Sequence, residues 1–445
     1  MKVLKFGGTS VGSAKSIRNV RNIIEAQPGR KIVVVSAMSG VTNLLVELNE
    51  VLKKDQQEQI QQILQQLEIK HGNLIEELFP EEKIKTTTKK HFLMLLDQLK
   101  DILAEDAGSL REASIVTFGE TFLSYIFSKY LETEGLFNTL LEAKDFMHIS
   151  NVENPEIEVV KKLLEQTLQN EVPSEVYITQ GFVRIDRNRN ISTLKRGGSD
   201  YTATIIAAAI NAREVQIWTD IDGFHNNDPR FVENTSTLSQ LTFEEAAELA
   251  YFGAKILHPQ TVSPVKDRNI PIYLKNTFTP KAAGTRISSE VTNLGLKAIS
   301  AKDDIIAIKI KSNRMLMAHG FLKKIFDVFD KHETAIDMIT TSEIAISLSI
   351  DNPVNLHKIL DELEAYGEIS FVPNHSISCV VGEGLISDKE TFRLFEILND
   401  IPVRMISYGG SNNNISLLVD TGNKARALQA LNKKLFEERS YSNVN

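Results

Sequence analysis

The chain has 445 residues, more than one hydrophobic core usually organises, so two or three domains are expected. Apolar residues at 42% and charged residues at 24% are the composition of an ordinary globular protein. The net charge of −8 is spread without a basic arm or acidic tail, which argues against nucleic acid or a membrane surface as the main partner.

One cysteine, Cys379, excludes a disulfide framework and a thiolate metal cluster. No signal peptide is expected at the amino terminus, because Lys5 interrupts an apolar stretch already too short for one. The longest apolar run, around Thr204 to Ile210, falls far short of the ~20 residues that span a bilayer. A soluble, cytoplasmic protein is expected.

In chain order, "KVLKF" and "KIVVVSA" (Lys31 to Ala37) read as buried strands, with a helix between them marked by Ile17, Val20, Ile23 and Ile24. Such a βαβ unit predicts a parallel sheet covered on both faces. From Leu44 to Leu103 the pattern is helical, and Gln56 to Lys70 is amphipathic. Strands return at Glu175 to Ile185, Val215 to Asp220 and Ile270 to Asn276. Helices are expected at Asp200 to Ala212 and at Thr242 to Leu257, the latter opened by a Thr242/Glu245 capping box.

The small, polar stretch Lys281 to Asn293 reads as a boundary. Beyond it, Ala335 to Ile350 lines up with Pro402 to Val419, and each copy follows a strand and an amphipathic helix. Two small repeated modules are expected, either packed spacer domains or a pair of a kind that suits ligand sensing better than catalysis.

"KFGGTSVG" puts Lys5 at a strand end, then Gly7 and Gly8, then Thr9, Ser10 or Ser13 as caps for the next helix. Backbone N–H groups at such a turn form an anion site, although a plain turn has the same look and no Walker A spacing is present. "KRGGSD" (Lys195 to Asp200) repeats the recipe. Two such turns in one α/β domain point to opposite walls of a phosphate cleft.

"WTDIDGFHNNDPR" (Trp218 to Arg230) is either an Asp-Gly turn followed by an Asp-Pro turn or a nucleotide-side loop carrying Asp220 and Arg230. Its spacing is not that of a calcium loop. Glu120 in "FGE" is a solvated carboxylate or a buried one placed to receive an ammonium group. Lys255 in "FGAKILHP" is a helix-end cation or a phosphate ligand. No Ser-His-Asp, Cys-His or protein-kinase motif occurs. A carboxylate acceptor, already ionised at neutral pH, needs positioning and charge neutralisation rather than a base, and that inventory is present.

Together "KFGGTSVG", "VVVSAMSGVTNLL", "FGE", "TQGF", "RGGSDYTA", "WTDIDG", "DPR", "EAAELAYFGAKILHP" and "IDMITTSE" resemble the aspartate kinases of the amino-acid kinase fold, over nearly the whole chain. The resemblance implies a three-layer α/β/α catalytic domain over residues 1–290 with a mainly parallel sheet. Two α+β ferredoxin-like ACT modules would follow, one at 300–372 with 435–445 as a return element and one at 373–434. It implies phosphoryl transfer from ATP, with Mg2+ carried by the nucleotide, to the side-chain carboxylate of L-aspartate. The product would enter lysine, threonine and methionine biosynthesis.

On that resemblance Lys5, Gly7, Gly8 and Asp200 are catalytic, with Lys5 neutralising the phosphoryl group and Asp200 orienting Lys5. Ser36, Thr42, Glu120, Arg196, Gly197, Gly198 and Ser199 hold aspartate. Thr219, Asp220, His225, Asp228, Arg230 and Lys255 line the nucleotide. Met315, Ala318, Phe321, Leu322, Asp337, Thr341, Ser342 and Glu343 line an effector pocket, for lysine rather than threonine. Ala318 stands where lysine-sensitive relatives carry serine, and His225 where tyrosine is common. The resemblance also implies a homodimer through the ACT modules, or a tetramer built from it. With no second dinucleotide fingerprint before Asn445, a monofunctional enzyme is expected.

Overall fold

The computed structural model describes residues 1–104, 108–195, 197–253, 256–312 and 319–438. Its backbone contacts divide the chain into two units. The first comprises residues 1–224, 239–243 and 257–289; the second comprises 225–238, 244–256 and 290–445.

The first unit is built on an eight-stranded sheet. In spatial order its strands are Asn138–Leu141, Val176–Gln180, Lys31–Val35, Lys2–Phe6, Val215–Thr219, Ile272–Asn276, Thr285–Ser288 and Gln240–Thr242. The first six run parallel, and Thr285–Ser288 alone is antiparallel to its neighbour Ile272–Asn276. Lys31–Val35 and Val176–Gln180 are buried at every position, as the continuous apolar runs require of strands covered on both faces. Lys2–Phe6 lies between Lys31–Val35 and Val215–Thr219, so the connections diverge on either side of it. Ligands of open parallel sheets bind beyond the carboxyl ends of strands at such a divergence. Lys5 is the penultimate residue of that strand.

The expected helical stretch resolves into Val41–Lys53, Gln57–Leu78 and Glu82–Ala104, which pack with Ser109–Thr133. Their shared core includes Leu64, Leu67, Leu74, Phe92, Leu96, Phe122 and Phe127. Within it His71 is fully buried, stacked on Phe92 and edge-on to Phe122.

The expected strand Glu175 to Ile185 divides in two. Phe182 turns the chain with φ +70°, and Val183–Ile185 pairs with Ile191–Thr193 in a separate hairpin. The helix expected to reach Leu257 spans Phe243–Tyr251 and ends before Gly253, whose φ of +117° no helix accommodates.

The second unit holds a six-stranded antiparallel sheet. Its order is Met338–Thr341, Ala345–Ile350, Gly295–Lys311, Glu368–Glu383, Asn414–Asp420, Val403–Ser407. The two central strands are long enough to serve two cores. Residues 305–311 and 368–372 cover one core with the helices Phe321–Lys331 and Leu356–Leu363, around Ile308, Ile325, Leu348 and Ile359. Residues 295–302 and 375–383 cover the other with Lys424–Asn432, around Ile299, Val380, Leu417 and Leu428. The strand that completes the second core therefore precedes the whole of the first in sequence. Residues 435–438 continue the last helix.

Among the described residues, no helix is long and apolar enough to cross a membrane.

Candidate active site

Lys5 stands near the carboxyl end of its strand, in register with Val34 on one side and Ile217 on the other. Gly7 donates its N–H to the Trp218 carbonyl at 3.1 Å, turning the chain immediately. A Cβ at Gly7 would lie 3.4 Å from Lys5 Nζ, and one at Gly8 would lie 3.0 Å from the Ala37 carbonyl. A side chain at Gly7 would crowd the ammonium group, and one at Gly8 would press on the Ala37 carbonyl. Ser10 fixes the loop from behind, 2.7 Å from the Thr277 hydroxyl. Of the three candidate caps, Ser13 is the one that accepts from the helix, taking the Ser16 N–H at 3.2 Å.

The second glycine turn faces the first. Gly197, with φ +74°, is the N-cap of helix Gly198–Ala209, and a Cβ there would come within 2.5 Å of His258 Cβ. Ser199 packs so tightly on the loop after Gln180 that a Cβ at Gly181 would lie 2.5 Å from its Oγ. Asp200, in the first turn of this helix, places Oδ1 2.7 Å from Lys5 Nζ, with both side chains nearly buried. An ion pair so shielded holds the ammonium in one place, and a carboxylate in a first helical turn also suits the helix dipole.

Glu120 lies on helix Ser109–Thr133, 3% exposed. Its Oε1 accepts the Ala37 N–H at 3.2 Å, while Oε2 is buried with no partner among the described residues. Burial pushes its pKa up to about 8, against the opposing pull of the Ala37 N–H and the more distant Lys5 charge. An orphan carboxylate oxygen beside a cationic phosphate cradle fits an incoming ammonium group. Ser36 follows strand Lys31–Val35, and Thr42 lies in the first turn of helix Val41–Lys53.

On the nucleotide side, Thr219 ends strand Val215–Thr219 and its hydroxyl donates to Asp220 Oδ1 at 3.1 Å. His225, Asp228 and Arg230 fall in the second unit. There His225 Nδ1 lies 2.9 Å from the Thr235 hydroxyl. Asp228 accepts from the backbone N–H and side chain of Arg230, and these bonds hold its pKa below the ordinary carboxylate range despite the opposing effect of burial. Asn227 donates to the Leu428 carbonyl and to Asn432, and Val232 joins the Leu417–Leu428 core. This loop is thus anchored within the second unit.

In the expected effector region, Phe321 and Leu322 open helix Phe321–Lys331, Asp337 precedes strand Met338–Thr341, and Thr341, Ser342 and Glu343 are exposed at its turn. Arg196, Lys255, Met315 and Ala318 lie outside the described residues.

Three contributors were not singled out by sequence reasoning. Ala37 acts through its backbone N–H, Thr277 through a contact with Ser10, and His258 by moulding Gly197. Only His258 had a signal, as the penultimate residue of "FGAKILHP". Among the described residues, no three His, Cys, Asp or Glu side chains gather as a metal site. The glycine cradle suits phosphate oxygens instead.

The model of the amino acid kinase family matches residues 1–276, and that of the ACT domain matches residues 378–435. Aspartokinase 2, chloroplastic, of Arabidopsis thaliana is 34% identical over 98% of this chain and 84% of its own length. Lysine-sensitive aspartokinase 3 of Escherichia coli strain K12 is 29% identical over 98% of this chain and 99% of its own. Among solved structures, E. coli aspartokinase III in complex with aspartate and ADP (R-state) superposes with a TM-score of 0.86 at 28% identity, covering 98% of this chain and all of that one. The same enzyme in complex with lysine and aspartate (T-state) superposes at 0.81 over 98% and 99%.

Proposed function

The chain belongs to the amino acid kinase family and, within it, to the aspartokinases, and from that premise we propose how its own residues carry the reaction. It is an aspartate kinase, an ATP-dependent phosphotransferase with allosteric amino-acid feedback.

The γ-phosphoryl group of ATP lies before Gly7 and Gly8, whose N–H groups and the Lys5 ammonium take up its charge. A side-chain oxygen of L-aspartate forms the new bond to phosphorus as the bond to the ADP oxygen breaks. No proton moves, because the acceptor is already a carboxylate. Catalysis then consists of alignment and charge stabilisation. Asp200 fixes Lys5 and does not touch the substrate. Glu120 Oε2 receives the α-ammonium and Arg196 the α-carboxylate, with Ser36, Thr42, Gly197, Gly198 and Ser199 closing the pocket. Thr219, Asp220, His225, Asp228, Arg230 and Lys255 serve the nucleotide, and Mg2+ carried by it would help to neutralise the phosphate charge. The product, 4-phospho-L-aspartate, is the first intermediate towards lysine, threonine and methionine.

The observation that carries this reading is the 2.7 Å Lys5–Asp200 pair set between two glycine turns. Lysine is the preferred effector, its ε-ammonium meeting Asp337 and Glu343 in a pocket completed by Met315, Ala318, Phe321, Leu322, Thr341 and Ser342. The E. coli relative is named lysine-sensitive and has been crystallised with lysine. The ACT modules would join two copies into a dimer, and the chain would act in the cytoplasm.

A hydroxamate-trapping assay with ATP, Mg2+ and either L-aspartate or L-glutamate tests the substrate. Aspartyl hydroxamate should form and the glutamate product should not; glutamate turnover without aspartate turnover contradicts the reading.

A further inference from the structure

In the second unit, Asp337 has a side chain only 1% exposed. Its Oδ1 accepts from two groups, the Tyr251 hydroxyl at 2.7 Å and Lys302 Nζ at 2.7 Å. Lys302 Nζ also lies 2.8 Å from Asp351 Oδ2 and 4.2 Å above the centre of the Tyr251 ring. Asp337 Oδ2 is buried and, among the described residues, has no partner. Two carboxylates thus face one ammonium, so the cluster is one positive charge short and has a buried oxygen left to receive it. Burial keeps the Asp337 carboxyl above the ordinary range even with Lys302 and Tyr251 bound, as expected where charge remains uncompensated.

Tyr251 is held in this cluster by close backbone packing. Two residues on, Gly253 sits so near the strand Gly295–Lys311 that a Cβ would fall 1.9 Å from the Ala301 carbonyl, next to Lys302. The turn that ends helix Phe243–Tyr251 is therefore nested on the strand that supplies the ammonium.

We propose that Tyr251 reports the state of Asp337 to the active site. This rests on the reading of Asp337 as the effector carboxylate. A ligand ammonium at Oδ2 draws charge from Oδ1 and weakens both bonds made there. Lys302 is a charged donor held by both Asp337 and Asp351, whereas the Tyr251 hydroxyl is a neutral donor on a residue 39% exposed, where water can replace its partner, so the Tyr251 bond is the one that yields. Four positions along the chain from Tyr251 stands Lys255, given above to the nucleotide, and seven along stands His258, on which Gly197 is moulded. Tyr251 is a positioning residue at the head of the one segment that carries both. It touches no substrate. An effector regulates only if its binding energy differs between the two states, and this hydrogen bond supplies such a difference.

The test uses the full-length enzyme with L-lysine, L-threonine and L-methionine as probes. Calorimetric Kd and half-inhibitory concentration are measured for wild type, Tyr251→Phe and Asp337→Asn, each rate normalised to its own uninhibited value. Tyr251→Phe should keep Kd within about threefold while raising the half-inhibitory concentration about tenfold or more. Inhibition that stays with the wild type, or that moves only in step with Kd, overturns the proposal. Asp337→Asn separates the two levels, since it should weaken binding itself. If Asp337→Asn binds the probe as wild type does, the effector reading fails. If its binding is lost while Tyr251→Phe is inhibited normally, only the role of Tyr251 fails. Absence of binding by every probe to the wild type overturns both.

Discussion

Lys5 Nζ and Asp200 Oδ1 stand 2.7 Å apart, each delivered by its own strand-to-helix glycine turn, so one ion pair ties the two walls of the phosphate cradle together. Such a pair has a cost: a buried charge must be matched, and removing one partner leaves the other stranded. That makes Asp200 a determinant of where Lys5 points.

Replacing Asp200 with Asn therefore keeps the shape and removes the anchor. The expected result is a fall in kcat on the order of 10²-fold, with KM for aspartate little changed. Steady-state kinetics at saturating ATP decide the matter. A large rise in KM with kcat intact would mean that Asp200 serves substrate binding instead.

Glu120 gives the reaction a pH signature. Its pKa, raised to about 8 by burial, leaves it mostly protonated at neutral pH in the empty site. An ammonium ligand requires the ionised form, so binding expels a proton and tightens as pH rises. KM for aspartate should fall about tenfold per pH unit on approaching pH 8 from below, then level off. Glu120→Gln should raise KM and flatten this slope. A wild-type KM independent of pH between 6 and 8 would count against the assignment.

His71 makes the helical layer sensitive to acid. Burial lowers its pKa from 6.5 to about 4, its Nδ1–H donates to the Leu67 carbonyl at 2.7 Å, and Nε2 has no partner among the described residues. Its folded pKa is depressed, so the folded state binds fewer protons than the unfolded one. The resulting stability is complete above pH 6.5 and is lost as pH falls towards 4, amounting to about 3 kcal/mol at most. Denaturant titrations between pH 7 and 4 should show the loss. His71→Leu should remove most of the slope; an unchanged slope would place the acid sensitivity elsewhere.

The site was legible where chemistry follows local pattern. Strand end, cation, two glycines and helix start occur twice, and the two copies face each other through Lys5 and Asp200. Contributions made by backbone or by distant packing were not legible. The Ala37 N–H that holds Glu120 has no side-chain signature, and neither does the contact of Thr277 with Ser10. The strand expected through Ile185 breaks because Phe182 adopts φ +70°, which its residue type does not announce. The loop of His225 to Leu238 follows a strand of the first sheet in sequence, yet Asn227 and Val232 bind it into the second unit through partners some two hundred residues away. Pairing of residues 295–302 with 375–383 is equally non-local, so the interleaving of the two modules left no trace in the repeat.

Single-turnover transfer of phosphate from ATP to L-aspartate by wild type and Lys5→Met, measured beside ADP affinity for both, tests the central claim most directly. Lys5→Met should bind ADP within a few fold of wild type, because the nucleotide keeps its other contacts. Its transfer rate should drop on the order of 10³-fold or more, because the cation that takes up charge in flight is gone. A Lys5→Met enzyme that transfers phosphate at the wild-type rate once saturated with nucleotide would contradict the account.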